Sequence, residues 1–252
     1  MIYFPKNNQS SLFRPEASLT LLANQFETDK GDADRDTLSW ASGFPTHHTN
    51  GYTNTYEKYM NSRRLDNVKF LEIGICDVRF PLASIKVWLS YFSNVDLYCV
   101  DNFWGHRPSS SIISSIQNMG ANIFVADQGS APDWDQIEKI IQPNSLDFIV
   151  EDGSHYPNHM LFTLWRSISL LKTNAYYFME DIQDPKTTGG MYGFDNTSVY
   201  HSVLNFMKNG IFSHELLTQE QCKDIEQSFK IVELHIGGPK HCQALMAVFQ
   251  KI

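Results

Sequence analysis

Two stretches of the chain set acids and histidines directly behind apolar runs. In VEDGSHYPNHM (150–160) the run LDFIV closes on Glu151, Asp152, Gly153, Ser154, His155 and His159. In AYYFMEDIQD (175–184) an apolar run closes on Glu180, Asp181 and Asp184. A buried strand that ends in two acids needs a cation or hydroxyl groups to receive them, because an unpaired carboxylate costs desolvation. Two such endings on neighbouring strands predict an oxygen-rich divalent-metal site. Magnesium suits it, with hard carboxylate ligands from few residues and the remaining positions left to water or substrate. His155 falls at the entry of the next helix, where an imidazole can accept a proton. The HxxxH pair of His155 and His159 raises zinc as a rival, but no third nitrogen or sulfur ligand lies nearby and HExxH is absent. His159 is read as a packing or helix-surface residue.

These residues need a scaffold that brings strand ends together, and the pattern from residue 68 supplies one. VKFLEIGI, VDLYCVD, NIFVAD, SLDFIVED and AYYFMED are of strand length. Between them lie LASIKVWLSYF, SSIISSIQNM, DWDQIEKII (with Asp133 as candidate N-cap) and YPNHMLFTLWRSISLL, at helical spacing. This rhythm predicts βαβ units, a parallel sheet and helices on both faces. Right-handed crossovers then put all strand C-termini on one edge, where open α/β sheets bind ligands. That edge would carry Glu72 and Gly74 from the first strand and Asp101 from the second. Asp127 and Gln128 would follow the third. Gly74 opens a turn where backbone must pass close to a ligand, and an acid at Asp101 is well placed for the two hydroxyls of a ribose. GxGxxG is absent, which argues against a nicotinamide or flavin dinucleotide.

Beyond 185, PKTTGGMYGFDNTS reads as a loop and VYHSVLNFMKNG as a helix stopped by Gly210. Two strands around GGPKH finish the sheet as an antiparallel pair. The expected fold is therefore α/β, a doubly wound, Rossmann-like and mostly parallel seven-stranded sheet with a C-terminal hairpin. Residues 1–65 are polar and turn-rich and are expected to form a helical and loop cap over a domain spanning 66–252. Within the cap, THHTNGYTNTYEKY offers His47, His48, Tyr52, Tyr56 and Glu57, groups that bond sugars and nucleosides.

Composition narrows the partners. A net charge of −8 gives no electrostatic footprint for nucleic acid, and no run of basic residues exceeds the pair Arg63–Arg64. No apolar run approaches the ~18–20 residues that span a bilayer, and the N-terminus lacks the features of a secretory signal. Four cysteines without a CxxC pattern read as reduced thiols, so a cytoplasmic protein is expected.

TDKG (28–31) with HHTNGYTNTYE (47–57), FLEIGI (70–75), DFIVEDGSH (147–155) and YYFMEDIQ (176–183) carry a family resemblance. With these motifs the chain resembles class I S-adenosylmethionine-dependent methyltransferases. Within that group it is similar to the metal-dependent macrolide-sugar O-methyltransferases of mycinamicin and demethylmacrocin type, and to the related cephalosporin-hydroxylase-like proteins. The resemblance implies that Glu72 and Gly74 line the methionine and ribose part of the cofactor. Asp101 would hold the ribose hydroxyls, and Asp127 and Gln128 would flank the adenine. Asp152 and Asp181 would bind magnesium, with Glu180 as an alternative ligand, and His155 would be the general base. Where the family continues with further glycines after EIG, this chain reads ICDVRF, and Glu151 stands where the family has aspartate.

The expected reaction is methyl transfer from S-adenosylmethionine to a sugar hydroxyl of a glycan or glycosylated natural product, with His48, Tyr52 and Tyr56 near the acceptor. The resemblance leaves room for a homo-oligomer. The rival readings are a methyltransferase of catechols or phenols, separated by an acceptor screen, and a non-catalytic cofactor-binding relative, separated by calorimetry. A hydroxylase ranks last, since no iron triad with adequate spacing is present.

Overall fold

Apolar runs of strand length, each followed by an amphipathic stretch, fold as that pattern dictates. The computed structural model describes residues 1–7, 11–32, 50–75, 82–105, 108–184, 197–237 and 244–252. In chain order these form β1 (Ile2–Phe4), α1 (Leu19–Gln25), α2 (Thr53–Met60), β2 (Asn67–Ile73), α3 (Ala83–Tyr91) and β3 (Asn94–Asp101). Next come α4 (Ser110–Met119), β4 (Asn122–Val125), α5 (Ala131–Ile140), β5 (Leu146–Glu151) and α6 (Pro157–Leu170). The chain continues through β6 (Leu171–Gln183), α7 (Thr197–Asn209), α8 (Gln219–Ser228), β7 (Phe229–Gly237) and β8 (Ala244–Lys251).

The strands form one sheet in the order β1-β4-β3-β2-β5-β6-β8-β7. Its centre, β4 through β6, is parallel, and β8 and β7 close it as the expected antiparallel hairpin. Among the described residues the sheet has eight strands, one more than the sequence pattern predicts. The addition is β1, which pairs antiparallel with β4 and is followed into register from Ile2↔Val125 to Phe4↔Ile123. Three residues carry too little periodicity to be read as a strand. The Met1 amine also bonds Asp133 Oδ1 at 3.0 Å. Asp133 is therefore not an N-cap: that position is Ser130, and Asp133 lies in the first turn of α5.

Successive strand residues face opposite sides, and both sides are covered. Phe70, Phe148 and Phe178 pack with Leu22, Tyr56, Trp88 and Ile116 on the side of α1 to α4. Leu71, Ile149 and Met179 pack with Ile137, Leu164, Phe206 and Ile225 on the side of α5 to α8. A sheet buried on both faces leaves only its edges and strand ends for polar chemistry. Among the described residues, no helix is long and apolar enough to cross a membrane.

Candidate active site

The C-terminal ends of β2, β5 and β6 converge. The Gly74 N–H donates to Val100 O and the Asp152 N–H to Ile73 O, each at 2.8 Å, so the ladders continue past the strand ends. Gly74 has φ +82°, and a Cβ there would lie 2.0 Å from the carbonyl oxygen of Asp152. Only glycine lets this turn cross so close to the end of β5. At Gly153 a Cβ would meet the Gln128 carboxamide, with Oε1 at 1.9 Å, so a side chain there would displace Gln128.

Asp152, His155 and Asp181 come together, with one candidate ligand atom from each lying within 4.8 Å of the others. His155 Nε2 is 3.8 Å from Asp152 Oδ1 and 3.8 Å from Asp181 Oδ2. The second oxygen of each acid is held from the N-terminal segment. Lys30 Nζ donates to Asp152 Oδ2 at 2.5 Å, and the Tyr52 hydroxyl donates to Asp181 Oδ1 at 2.8 Å. Asn50 Nδ2 approaches the same Asp181 oxygen at 3.4 Å. Each carboxylate thus turns one oxygen to the protein and the other toward His155. Two of the three residues have left-handed backbone, His155 at φ +58° and Asp181 at φ +55°. Non-glycine residues hold that conformation only where their surroundings impose it, and such positions cluster at functional sites.

Asp181 owes its direction to a bulge. The pairing of β6 with β8 shifts register between Met179 and Ile182, which places one extra residue in β6. In a regular strand Glu180 and Asp181 would point to opposite faces. Here Glu180 turns inward onto Lys30, with Nζ donating to both carboxylate oxygens at 2.8 Å, and it also accepts a hydrogen bond from the Tyr56 hydroxyl. Glu180 therefore stands outside the Asp152–His155–Asp181 cluster. Tyr52 and Tyr56, expected beside an acceptor, are fully buried and support the two acids from behind. His48 lies outside the described residues, as do His47, 76–81 of the loop after Gly74, and 185–196.

The other strand ends divide their work. Glu72 is fully buried, and among the described residues neither carboxyl oxygen has a partner at hydrogen-bond geometry, although Trp88 and Ser84 stand close enough to pull its pKa down. Burial pushes its pKa up to about 7, against the pull of Lys30. Asp101 accepts the backbone N–H of Ile75 at 2.8 Å and of Phe103 at 2.5 Å, shaping the loops on both sides of it. Burial nonetheless raises its pKa above the ordinary aspartate value. Asp127 is exposed and accepts the Gly129 N–H at 2.8 Å. The Gln128 carboxamide is spent on the turn after β5: Nε2 donates to Glu151 Oε1 at 2.9 Å, and Oε1 accepts the Ser154 N–H at 2.8 Å. His159 packs under Gly129 with Nδ1 2.8 Å from Ser154 Oγ, a structural role. Lys30 is the residue that sequence reasoning missed. Burial opposes its charge, but Asp152 and Glu180 hold its pKa well above the usual lysine value. The available signal was the surplus of acids at the strand ends, which requires a buried countercharge.

The Glu72 carboxyl has a measurable consequence. Its folded pKa of about 7 lies above the ordinary 4.5, so its stability contribution is complete below about pH 4.5 and is lost as pH rises through 7. Glu151, also pushed by burial to about 7, acts in the same sense. The expected result is that Glu72→Gln raises the melting temperature of ligand-free protein at pH 8, by up to about 3 kcal/mol of stability, with the gain vanishing near pH 5. A difference independent of pH would show that Glu72 is charged in the fold.

The site's residues also suit ligands of defined kinds. Glu72 has two acceptor oxygens beside the close turn at Gly74, which fits an ammonium or hydroxyl-bearing ligand. Two hard carboxylate oxygens and an imidazole around one point fit a divalent cation.

No family model matches the chain. Among curated proteins it is 25% identical over 135 residues to the 8-demethyl-8-(2-methoxy-alpha-L-rhamnosyl)-tetracenomycin-C 3'-O-methyltransferase of Streptomyces olivaceus, which is 52% of this chain and 32% of that protein. It is 25% identical over 134 residues to the mycinamicin VI 2''-O-methyltransferase of Micromonospora griseorubida, 52% of this chain and 31% of the relative. The matches thus span about a third of the length of these relatives. Among solved structures, the MycE methyltransferase from the mycinamycin biosynthetic pathway, in complex with Mg, SAH and mycinamycin VI, superposes with a TM-score of 0.60 at 20% identity. That match covers 94% of this chain and 55% of the other. The chain therefore has the Rossmann-like fold of these methyltransferases.

Proposed function

We propose that the chain is an S-adenosylmethionine-dependent O-methyltransferase that methylates a sugar hydroxyl of a glycosylated small molecule with the help of a divalent cation. The observation that carries this reading is the Asp152–His155–Asp181 cluster at the strand-end edge, next to the Gly74 turn. The similarity to sugar O-methyltransferases supports the acceptor class.

In this reading Glu72 and Gly74 would line the methionine and ribose part of the cofactor, Asp101 would hold the ribose hydroxyls, and Asp127 and Gln128 would flank the adenine. S-adenosylmethionine supplies an electrophilic methyl group on a sulfonium. Asp152 and Asp181 would hold a divalent ion, and the chemistry it would supply is a lowered pKa for an acceptor hydroxyl. Lys30 and Tyr52 fix one oxygen of each acid and so orient the other toward the acceptor. His155 Nε2, beside those oxygens, would take the proton from an acceptor hydroxyl presented there. Residues 1–65 act as the covering segment of a methyltransferase domain at 66–252. Lys30, Asn50, Tyr52 and Tyr56 reach the acids from that segment, which helps to exclude water.

Labelled methyl transfer from S-adenosylmethionine to a panel of glycosides and catechols tests the proposal. Glycosides are expected to be labelled, and transfer is expected to fall to background after EDTA treatment and to return with Mg2+. Full activity in EDTA would remove the cation from the mechanism, and labelling of catechols alone would change the acceptor class.

A further inference from the structure

We propose that Gln128 is a positioning residue for His155, its carboxamide setting the turn that carries the imidazole. The proposal rests on the reading of His155 as the base and names what holds it in place. Gln128 follows β4 and is buried, and its own carbonyl accepts the indole N–H of the core residue Trp134 at 2.7 Å. From that anchor the carboxamide reaches across to the end of β5. Nε2 donates to Glu151 Oε1 at 2.9 Å, ahead of Asp152 and Gly153, and Oε1 accepts the Ser154 N–H at 2.8 Å, behind them. Both polar atoms of the carboxamide are thus engaged on the turn, and a cofactor beside Gln128 meets a group already committed there.

The contact between the two turns has a second, independent point. A Cβ at Gly129 would lie 2.4 Å from the His159 ring, so the residue after Gln128 packs directly on α6. His159 Nδ1 is in turn 2.8 Å from Ser154 Oγ, and the Tyr156 N–H points back to the same hydroxyl at 3.4 Å. Ser154 is therefore held through its N–H from β4 and through its hydroxyl from α6, and His155 is the next residue. Asp152 does not need this support, since its N–H is tied to Ile73 O at 2.8 Å. The start of α6 offers His155 little else: its N-cap Tyr156 makes no side-chain capping bond, and Pro157 has no N–H to give. His155 nevertheless keeps a left-handed backbone at φ +58°, which a non-glycine residue holds only where its surroundings impose it.

Kinetics of the full chain with the acceptor labelled in the panel above, together with SAH calorimetry, test the assignment. Q128A is expected to lower kcat by about 10–100-fold while KM for S-adenosylmethionine and Kd for SAH stay within about threefold of wild type. In G153A the atoms nearest the new Cβ all belong to the Gln128 carboxamide, so this variant should show the same loss. Q128A/G153A should then be no slower than either single variant, because both act through one contact. On an H155A background Q128A should cost nothing further. A tenfold weaker SAH affinity with unchanged kcat in Q128A would make the carboxamide an adenine contact and overturn the proposal. A lower melting temperature with unchanged kcat, or losses that multiply in the double variant, would overturn it as well. If Q128A does not fold, as judged by circular dichroism, G153A still decides: a fall in kcat at constant SAH affinity supports the proposal, and an unchanged kcat overturns it. Full turnover in H155A overturns the base reading and this proposal together, whereas collapse in H155A beside unchanged kcat in Q128A overturns this one alone.

Discussion

Asp152→Asn is expected to reduce methyl transfer by about 100-fold or more and to weaken divalent-ion binding in parallel. Asp152 joins two parts of the site, with Oδ2 on Lys30 and Oδ1 toward His155. An amide in its place carries no charge and can offer only one oxygen. If that oxygen stays on Lys30, an NH2 group faces the cation position. If it turns to the cation position, an NH2 group meets an ammonium. Either arrangement loses one of the two contacts, so added metal should restore activity only in part. Rates measured across a Mg2+ series check this, and a variant that recovers fully at high Mg2+ would show that Asp152 contributes charge without geometry.

His155→Ala is expected to lower turnover by about 10²–10⁴-fold while leaving SAH affinity intact. The imidazole stands 3.8 Å from an oxygen of each acid, close enough either to accept a proton from a hydroxyl held there or to serve as a third donor to the ion. The two roles separate in one pair of measurements. A base leaves Mn2+ affinity near wild type when removed, and a ligand takes that affinity with it. With His155 as the base, turnover should collapse while Mn2+ binding holds. Unchanged turnover would end the assignment.

Which parts of this were legible beforehand follows from the range of the interactions involved. The parallel centre and the terminal hairpin could be read because apolar runs of strand length alternate with helical spacing over local windows. The rule that strand ends share one edge placed the acid pairs after β5 and β6, with His155, on that edge without any knowledge of contacts. The choice of Asp152 and Asp181 among those acids came from the family resemblance. The helix α8 escaped because only Ile225 of its residues is buried; its signal was the capping box from Thr218 to Gln221. The strand β1 escaped because three residues define no period. The roles of Lys30, Tyr52 and Tyr56 depend on partners more than 120 residues away, so spacing alone carries no trace of them. Glu180 and Asp181 looked equivalent for the same reason. The direction Asp181 takes depends on a one-residue bulge opposite β8, which no local pattern announces.

The most direct test of the central claim is a crystal structure of the full chain with SAH and Mn2+ bound, read for the positions of both ligands. The account predicts SAH against the Gly74 turn with Glu72 and Asp101 beside it, and the ion between Asp152 and Asp181 with Glu180 still on Lys30. SAH bound away from the ends of β2 and β3, or an ion seated elsewhere than these two aspartates, would contradict it.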